Sequence, residues 1–193
     1  MTVVRRNSKK KWLILAGILL VIVAAVVVFL IYSNREVTLT DWSQGNVTLQ
    51  YPESISEIHV LDGENLRLEI VPSSGSDTVP RIDVQQVDAS TLDGAAGEES
   101  FSLLATALLQ QYFEGGVDES LFSVEQVLQE NGNTRAVVQV GATESSPAMQ
   151  AQVTLVGTGS SRLLGILLLP DDASQGDSWI ACLQSLSLQE GTN

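Results

Sequence analysis

The seven residues Leu163-Leu164-Gly165-Ile166-Leu167-Leu168-Leu169 constrain the fold more than any other stretch, because they are apolar at both parities. Side chains of a strand point alternately to opposite faces, so a strand of this kind must be covered on both sides. The run is too short to cross a membrane as a helix. It predicts a central strand in a sheet with a packed layer on each face.

The segments before it supply neighbours. Met149, Ala151, Val153 and Leu155 alternate with Gln150, Gln152 and Thr154. This reads as a strand over 148–156 with one packed and one wet side, joined to 162–169 through Gly157-Thr158-Gly159. Upstream, 122–129 joins 134–142 through Asn131-Gly132-Asn133, which completes a four-strand meander.

The N-terminal half reads as further strands. A short alternating stretch from Val37 to Trp42 and the segment Val47 to Tyr51 flank the turn Ser43-Gln44-Gly45-Asn46. In Glu57 to Val71, Ile58 and Val60 precede Asp62-Gly63-Glu64, and Leu66, Leu68 and Ile70 follow it. For both apolar sets to face one core the loop must hold an odd number of residues, typically three. Val60 is then expected opposite Leu66, and His59 opposite Arg67 on the outer face. Pro80 to Val87 reads as another strand with Ile82 and Val84 inward.

Two helices are expected. Phe101, Leu104, Ala105, Leu108, Leu109 and Tyr112 fall at helical spacing, with Glu98 and Glu99 at the positive end and Gly115-Gly116 as the stop. Trp179, Cys182, Leu183 and Leu186 predict a closing helix from about Asp177 to Leu188. The resulting fold class is α+β: one mainly antiparallel sheet flanked by two helices, an α/β/α sandwich.

A second feature lies at the N-terminus. Leu13 to Ile31 carry no charge, and as a helix would measure about 28 Å, close to a bilayer's hydrocarbon core. Trp12 and Tyr32 bracket the run, and Arg5, Arg6, Lys9, Lys10 and Lys11 precede it without any acid, giving +5. Beyond it five arginines stand against all 23 carboxylates, giving −18. Hydropathy and charge together predict a basic cytoplasmic tail (1–11), a transmembrane signal-anchor helix (12–32), a short linker (33–36) and an extracytoplasmic domain (37–193). The expected localisation is the cell membrane, single-pass, with the N-terminus inside. The run exceeds the apolar core of a cleaved signal peptide and ends without a small-x-small site.

The early strand ending Tyr51-Pro52, the hairpin, the helix Phe101 to Phe113, the four-strand meander and the final helix closing on Leu183-Gln184-Ser185-Leu186 follow an order that resembles the PsbP/Mog1-like family of small α/β/α domains. The resemblance covers about Val47 to Leu188 and includes that family's uncharacterised membrane-attached bacterial members. It implies an accessory or binding module and carries no functional residue onto this chain.

Catalytic constellations are sparse. A hydrolytic triad needs a base beside its nucleophile, and His59 is the sole histidine. One histidine and one cysteine, Cys182, exclude a zinc site of the usual nitrogen and sulfur ligands. Without lysine beyond Lys11, Schiff-base and Ser-Lys mechanisms are excluded there. The negative domain is unsuited to a phosphate backbone, so no nucleic-acid partner is expected. Cys182 is expected buried as a small hydrophobe.

Acidic residues cluster as Asp171, Asp172 and Asp177 before the last helix, and as Asp88, Asp93, Glu98 and Glu99 before the first, neither with EF-hand spacing. The functional expectation is a membrane-anchored, extracytoplasmic, non-enzymatic accessory or binding module with a protein partner in the envelope. No catalytic, cofactor-binding or metal residue is assigned. The alternatives are a carboxylate-based hydrolase of envelope polymers and a weak divalent-cation sensor.

Overall fold

The computed structural model describes residues 22–24, 37–61, 63, 65–74, 79–92, 97–113, 117–130, 132–143, 147–157, 159–173 and 175–189. The chain divides into two compact units, Met1–Glu36 and Val37–Asn193. Only the second holds described strands. They are β1 (Thr40–Gln44), β2 (Val47–Tyr51), β3 (Ser56–Leu61), β4 (Arg67–Pro72), β5 (Arg81–Asp88), β6 (Phe122–Glu130), β7 (Asn133–Val140), β8 (Met149–Val156), β9 (Ser161–Pro170) and β10 (Ser187–Leu188). The described helices of this unit are α1 (Glu98–Tyr112) and α2 (Gly176–Gln184), with short 3-10 turns at Ala89–Leu92 and Glu119–Leu121.

The two-sided apolar run is β9, which occupies the central place in a seven-stranded antiparallel sheet of order β3-β4-β5-β9-β8-β7-β6. Its side chains divide by parity. Leu163, Leu167 and Leu169 join the core that contains Trp179, Cys182 and Leu183 of α2, while Leu164, Ile166 and Leu168 join the core under Phe101, Ala105 and Leu109 of α1. Each fully buried leucine contributes about 1.5–3 kcal/mol relative to exposure.

The expectation of a single sheet flanked by two helices is corrected. Among the described residues there are two sheets, because β1, β2 and β10 form a separate three-stranded sheet of order β1-β2-β10. One face of the large sheet is covered by α1; the other is covered by α2 together with residues of the small sheet, notably Val47 and Leu49. The cause lies at the C-terminus. The closing helix stops at Gln184 instead of continuing to Leu188, and Ser187 and Leu188 pair with Thr48 and Val47. Ser185 secures this switch: its Oγ accepts from the Gln50 amide at 2.7 Å and donates to the Cys182 carbonyl at 2.7 Å.

The hairpin keeps its expected parity but not its register. Leu61 pairs with Arg67, so the loop holds residues 62–66, an odd number but longer than three. His59 therefore lies opposite Glu69, and Val60 opposite Leu68. A two-residue turn joins β1 to β2, and Gly45 takes φ +60, which side-chain-bearing residues seldom adopt.

The expected membrane span is also corrected. Residues 12–32 lie outside the described residues apart from 22–24, which are helical and would account for only about 4.5 Å of a roughly 30 Å core. Among the described residues no helix is long and apolar enough to cross a membrane. The single-pass anchor and the extracytoplasmic localisation inferred from it are therefore unsupported. The tail 1–11 and linker 33–36 lie outside the described residues.

Candidate functional site

Alternation along β4 and β5 sends Leu68, Ile70, Ile82 and Val84 into the core beside α2. The intervening residues, Arg67, Glu69, Arg81, Asp83 and Gln85, must then share the opposite face, the one that α1 covers. Register brings them into rows, with Glu69 opposite Asp83 and Arg67 opposite Gln85. On α1, Leu108 and Tyr112 lie one turn apart beside the buried stripe of Phe101, Ala105 and Leu109.

These residues form a joined charged wall. Arg81 Nη2 donates to Glu69 Oε1 at 2.7 Å and to Asp83 Oδ1 at 3.0 Å, and Arg81 Nε reaches both Asp83 oxygens at 3.1 and 3.0 Å. The Arg81, Glu69 and Asp83 side chains are 29%, 20% and 15% exposed, so this pairing is partly shielded from solvent. The guanidinium lies 5.8 Å from the centre of the Tyr112 ring, within range of a cation–π contact. Burial opposes the Arg81 charge, but its hydrogen bonds and attraction to Asp83, with Glu69 adding, leave its pKa raised. Burial, and then donation of its hydroxyl to Asp83, pushes Tyr112 well above the ordinary tyrosine range.

Beside this wall a cavity of about 220 Å³ opens between α1 and β4–β5. Its floor is apolar, from Leu108, Leu164 and Ile166, and its polar groups are Arg67, Gln85, Gln111, Asp83 and Tyr112. An apolar body with a few fixed polar groups is the usual make-up of a recognition cleft.

No family model matches the chain, and no curated protein matches it. Among solved structures, the chain is similar to a Bacteroides thetaiotaomicron VPI-5482 protein, with 12% identity and a TM-score of 0.43 over 77% of this chain and 47% of that one. It is also similar to a Pseudomonas aeruginosa protein of unknown function, with 13% identity and a TM-score of 0.40 over 79% of this chain and 99% of that one. The chain thus spans about half the length of the Bacteroides protein. Likenesses this weak transfer neither fold nor activity, and neither bears on the PsbP/Mog1 resemblance.

The residues singled out in the sequence lie elsewhere. His59 is half-exposed on the edge strand β3, its Nε2 3.7 Å from Glu57 Oε2. Cys182 is buried in the α2 core, and burial pushes its thiol up to about 12. Asp171 and Asp177 line a shallow cavity of about 400 Å³ with Gln150 and Gly176. Asp88 accepts from the amide and hydroxyl of Ser90, both at 3.1 Å, and Glu98 and Glu99 occupy the first turn of α1. Asp93 lies outside the described residues. Among the described residues no group of three or more His, Cys, Asp or Glu is placed to hold a metal ion.

Sequence reasoning missed Glu69, Arg81, Asp83 and Tyr112 as a group. A signal existed: two successive strands each carry charged residues at the parity opposite their apolar set. Choosing the partners required the β4–β5 register and the placement of α1 over it.

Proposed function

We propose that the domain is a non-enzymatic accessory module that binds a partner at the cleft between α1 and β4–β5. The observation that carries this reading is the double engagement of Arg81. Asp83 lines the cleft, and both it and its cross-strand neighbour Glu69 are spent on one guanidinium. A general acid or base must be free to exchange its proton with substrate. These groups are instead paired with Arg81, which suits recognition. The ligand that fits is a partner's side chain with an apolar stem for Leu108, Leu164 and Ile166 and a polar end for Gln85, Gln111 and Arg67.

A second reading rests on the same pair. Glu69 and Asp83 converge within 3.0 Å of one nitrogen, and paired carboxylates are the apparatus of sugar hydrolysis. Turnover assays on the full chain separate the two. The binding reading predicts no activity that depends on Glu69 or Asp83. Hydrolysis of a glycan that is abolished by Glu69→Gln or Asp83→Asn, with the melting temperature preserved, sinks it in favour of the hydrolase.

A further inference from the structure

The other face of the sheet carries a second cavity, remote from α1. Parity places Arg135, Thr154 and Val156 on the α2 side, since Ala136, Val153 and Leu155 belong to the core under α1. Arg135 on β7 stands directly opposite Thr154 on β8, and Thr154 in turn stands opposite Gly165 on β9. Gly165 contributes no side chain to that row. A cavity of about 190 Å³ opens here, walled by Leu128, Val156, Leu183 and Leu186 and bordered by Glu130, Asn133 and Gln184.

Two residues that line this cavity each hold a buried polar atom without a partner. Arg135 Nε and Thr154 Oγ1 make no hydrogen bond among the described residues, and Thr154 is only 4% exposed. Arg135 joins no ion pair among them either. Leaving such a donor unpaired costs about 1–3 kcal/mol, and more when it is charged. The chain holds 23 carboxylates, and beyond Lys11 its only cations are five arginines, so partners for Arg135 are abundant. Asn133 Oδ1 already accepts from the Gly157 amide at 3.3 Å, which leaves its NH2 as a further donor.

We propose that this cavity is a binding site for a small monocarboxylate, whose oxygens accept from Arg135 Nε and the Thr154 hydroxyl while its short apolar chain lies against Leu128, Leu183 and Leu186. Cross-strand neighbours stand about 5 Å apart at Cβ, which suits two donors to one carboxylate. Glu130 at the border and the C-terminal end of α2, the negative end of its dipole, set a field that rejects a dianion. The site therefore favours a monocarboxylate over the dianionic form of phosphate. It lies on the opposite sheet face from the α1 cleft and stands or falls independently of it.

Correlation spectra of the full chain, including arginine Nε–Hε signals, test this with butyrate, N-acetylvaline, butyramide and inorganic phosphate at matched ionic strength. Expected are saturable shifts at Arg135 Nε–Hε and the Thr154 amide with butyrate or N-acetylvaline, at a Kd on the order of millimolar, and at least about tenfold weaker binding of butyramide and phosphate. Preference for N-acetylvaline assigns the site to a chain-terminal carboxylate, and preference for butyrate to a free acid. Arg135→Gln should weaken binding about tenfold or more. If that variant does not fold, Thr154→Val, which removes only the hydroxyl, must weaken it severalfold. Absence of saturable shifts at Arg135 with both carboxylates overturns the proposal, as does equal binding of butyramide.

Discussion

Arg81 grips Asp83, two residues along the same strand, through Nε contacts of 3.1 and 3.0 Å and an Nη2 contact of 3.0 Å. Residues i and i+2 share a strand face, so this grip is a direct product of β5 alternation. Arg81→Ala leaves Glu69 and Asp83 partly buried without their cation, and is expected to destabilise the full chain by about 1–3 kcal/mol. Thermal melts of the variant and the parent at one pH check its size.

Tyr112 gives a prediction at the alkaline end. Its folded pKa is raised by burial and by its bond to Asp83, so between the ordinary tyrosine value of about 10 and the folded value the native state holds the extra proton. Its contribution to stability is fully present below about pH 10 and is lost as pH rises through the folded pKa. Ultraviolet titration should show a late-ionising tyrosine that disappears in Tyr112→Phe. Loss of stability with falling pH between 10 and 8, traced to this residue, is the opposite sign.

Gly165 is a packing requirement. A Cβ built there would lie 2.7 Å from Leu183 Cδ1 and 3.3 Å from Leu186 Cδ2. Gly165→Ala should cost about 1–3 kcal/mol through overpacking, although glycine is ordinarily unfavourable in a strand. Chemical denaturation measures it, and combining the change with Leu183→Ala should give less than the sum of the two separate losses.

Cys182 should be inert in the native protein. Its thiol is buried at 1% exposure, and burial pushes the pKa up to about 12, so little thiolate exists near neutrality. Labelling by a thiol reagent at mild alkaline pH should track global unfolding in denaturant. Rapid labelling of the folded chain is the contrary result.

Much of the strand order was legible because burial leaves a period in the chain. The run Leu163 to Leu169 announced a strand covered twice, and Leu164 and Leu167 do face different cores. The Ile58–Ile70 hairpin was legible in parity, since a shift of one residue would have turned Leu68 and Ile70 to the other face. Its register was not, because a shift of two preserves parity and only moves His59 from Arg67 to Glu69. The polar side of β8 was expected wet, yet Gln152 and Thr154 are 5% and 4% exposed. The second sheet escaped notice because Leu186 sits at helical spacing from Cys182, and only the pairing of Ser187 and Leu188 with β2 ends the helix early. Glu69, Arg81, Asp83 and Tyr112 come from three elements whose juxtaposition is a long-range property of the fold.

The central claim, that the cleft under α1 is where a partner docks, is tested most directly by a photo-crosslinking residue at Gln111 in the full chain, compared with one at Leu103. Leu103 is 67% exposed on the same helix, whereas Gln111 lines the cleft. A discrete adduct that forms from position 111, is absent from position 103, and disappears when Leu108→Glu places a charge on the apolar floor is the predicted result. No adduct from position 111, or the same adducts from both positions, contradicts it.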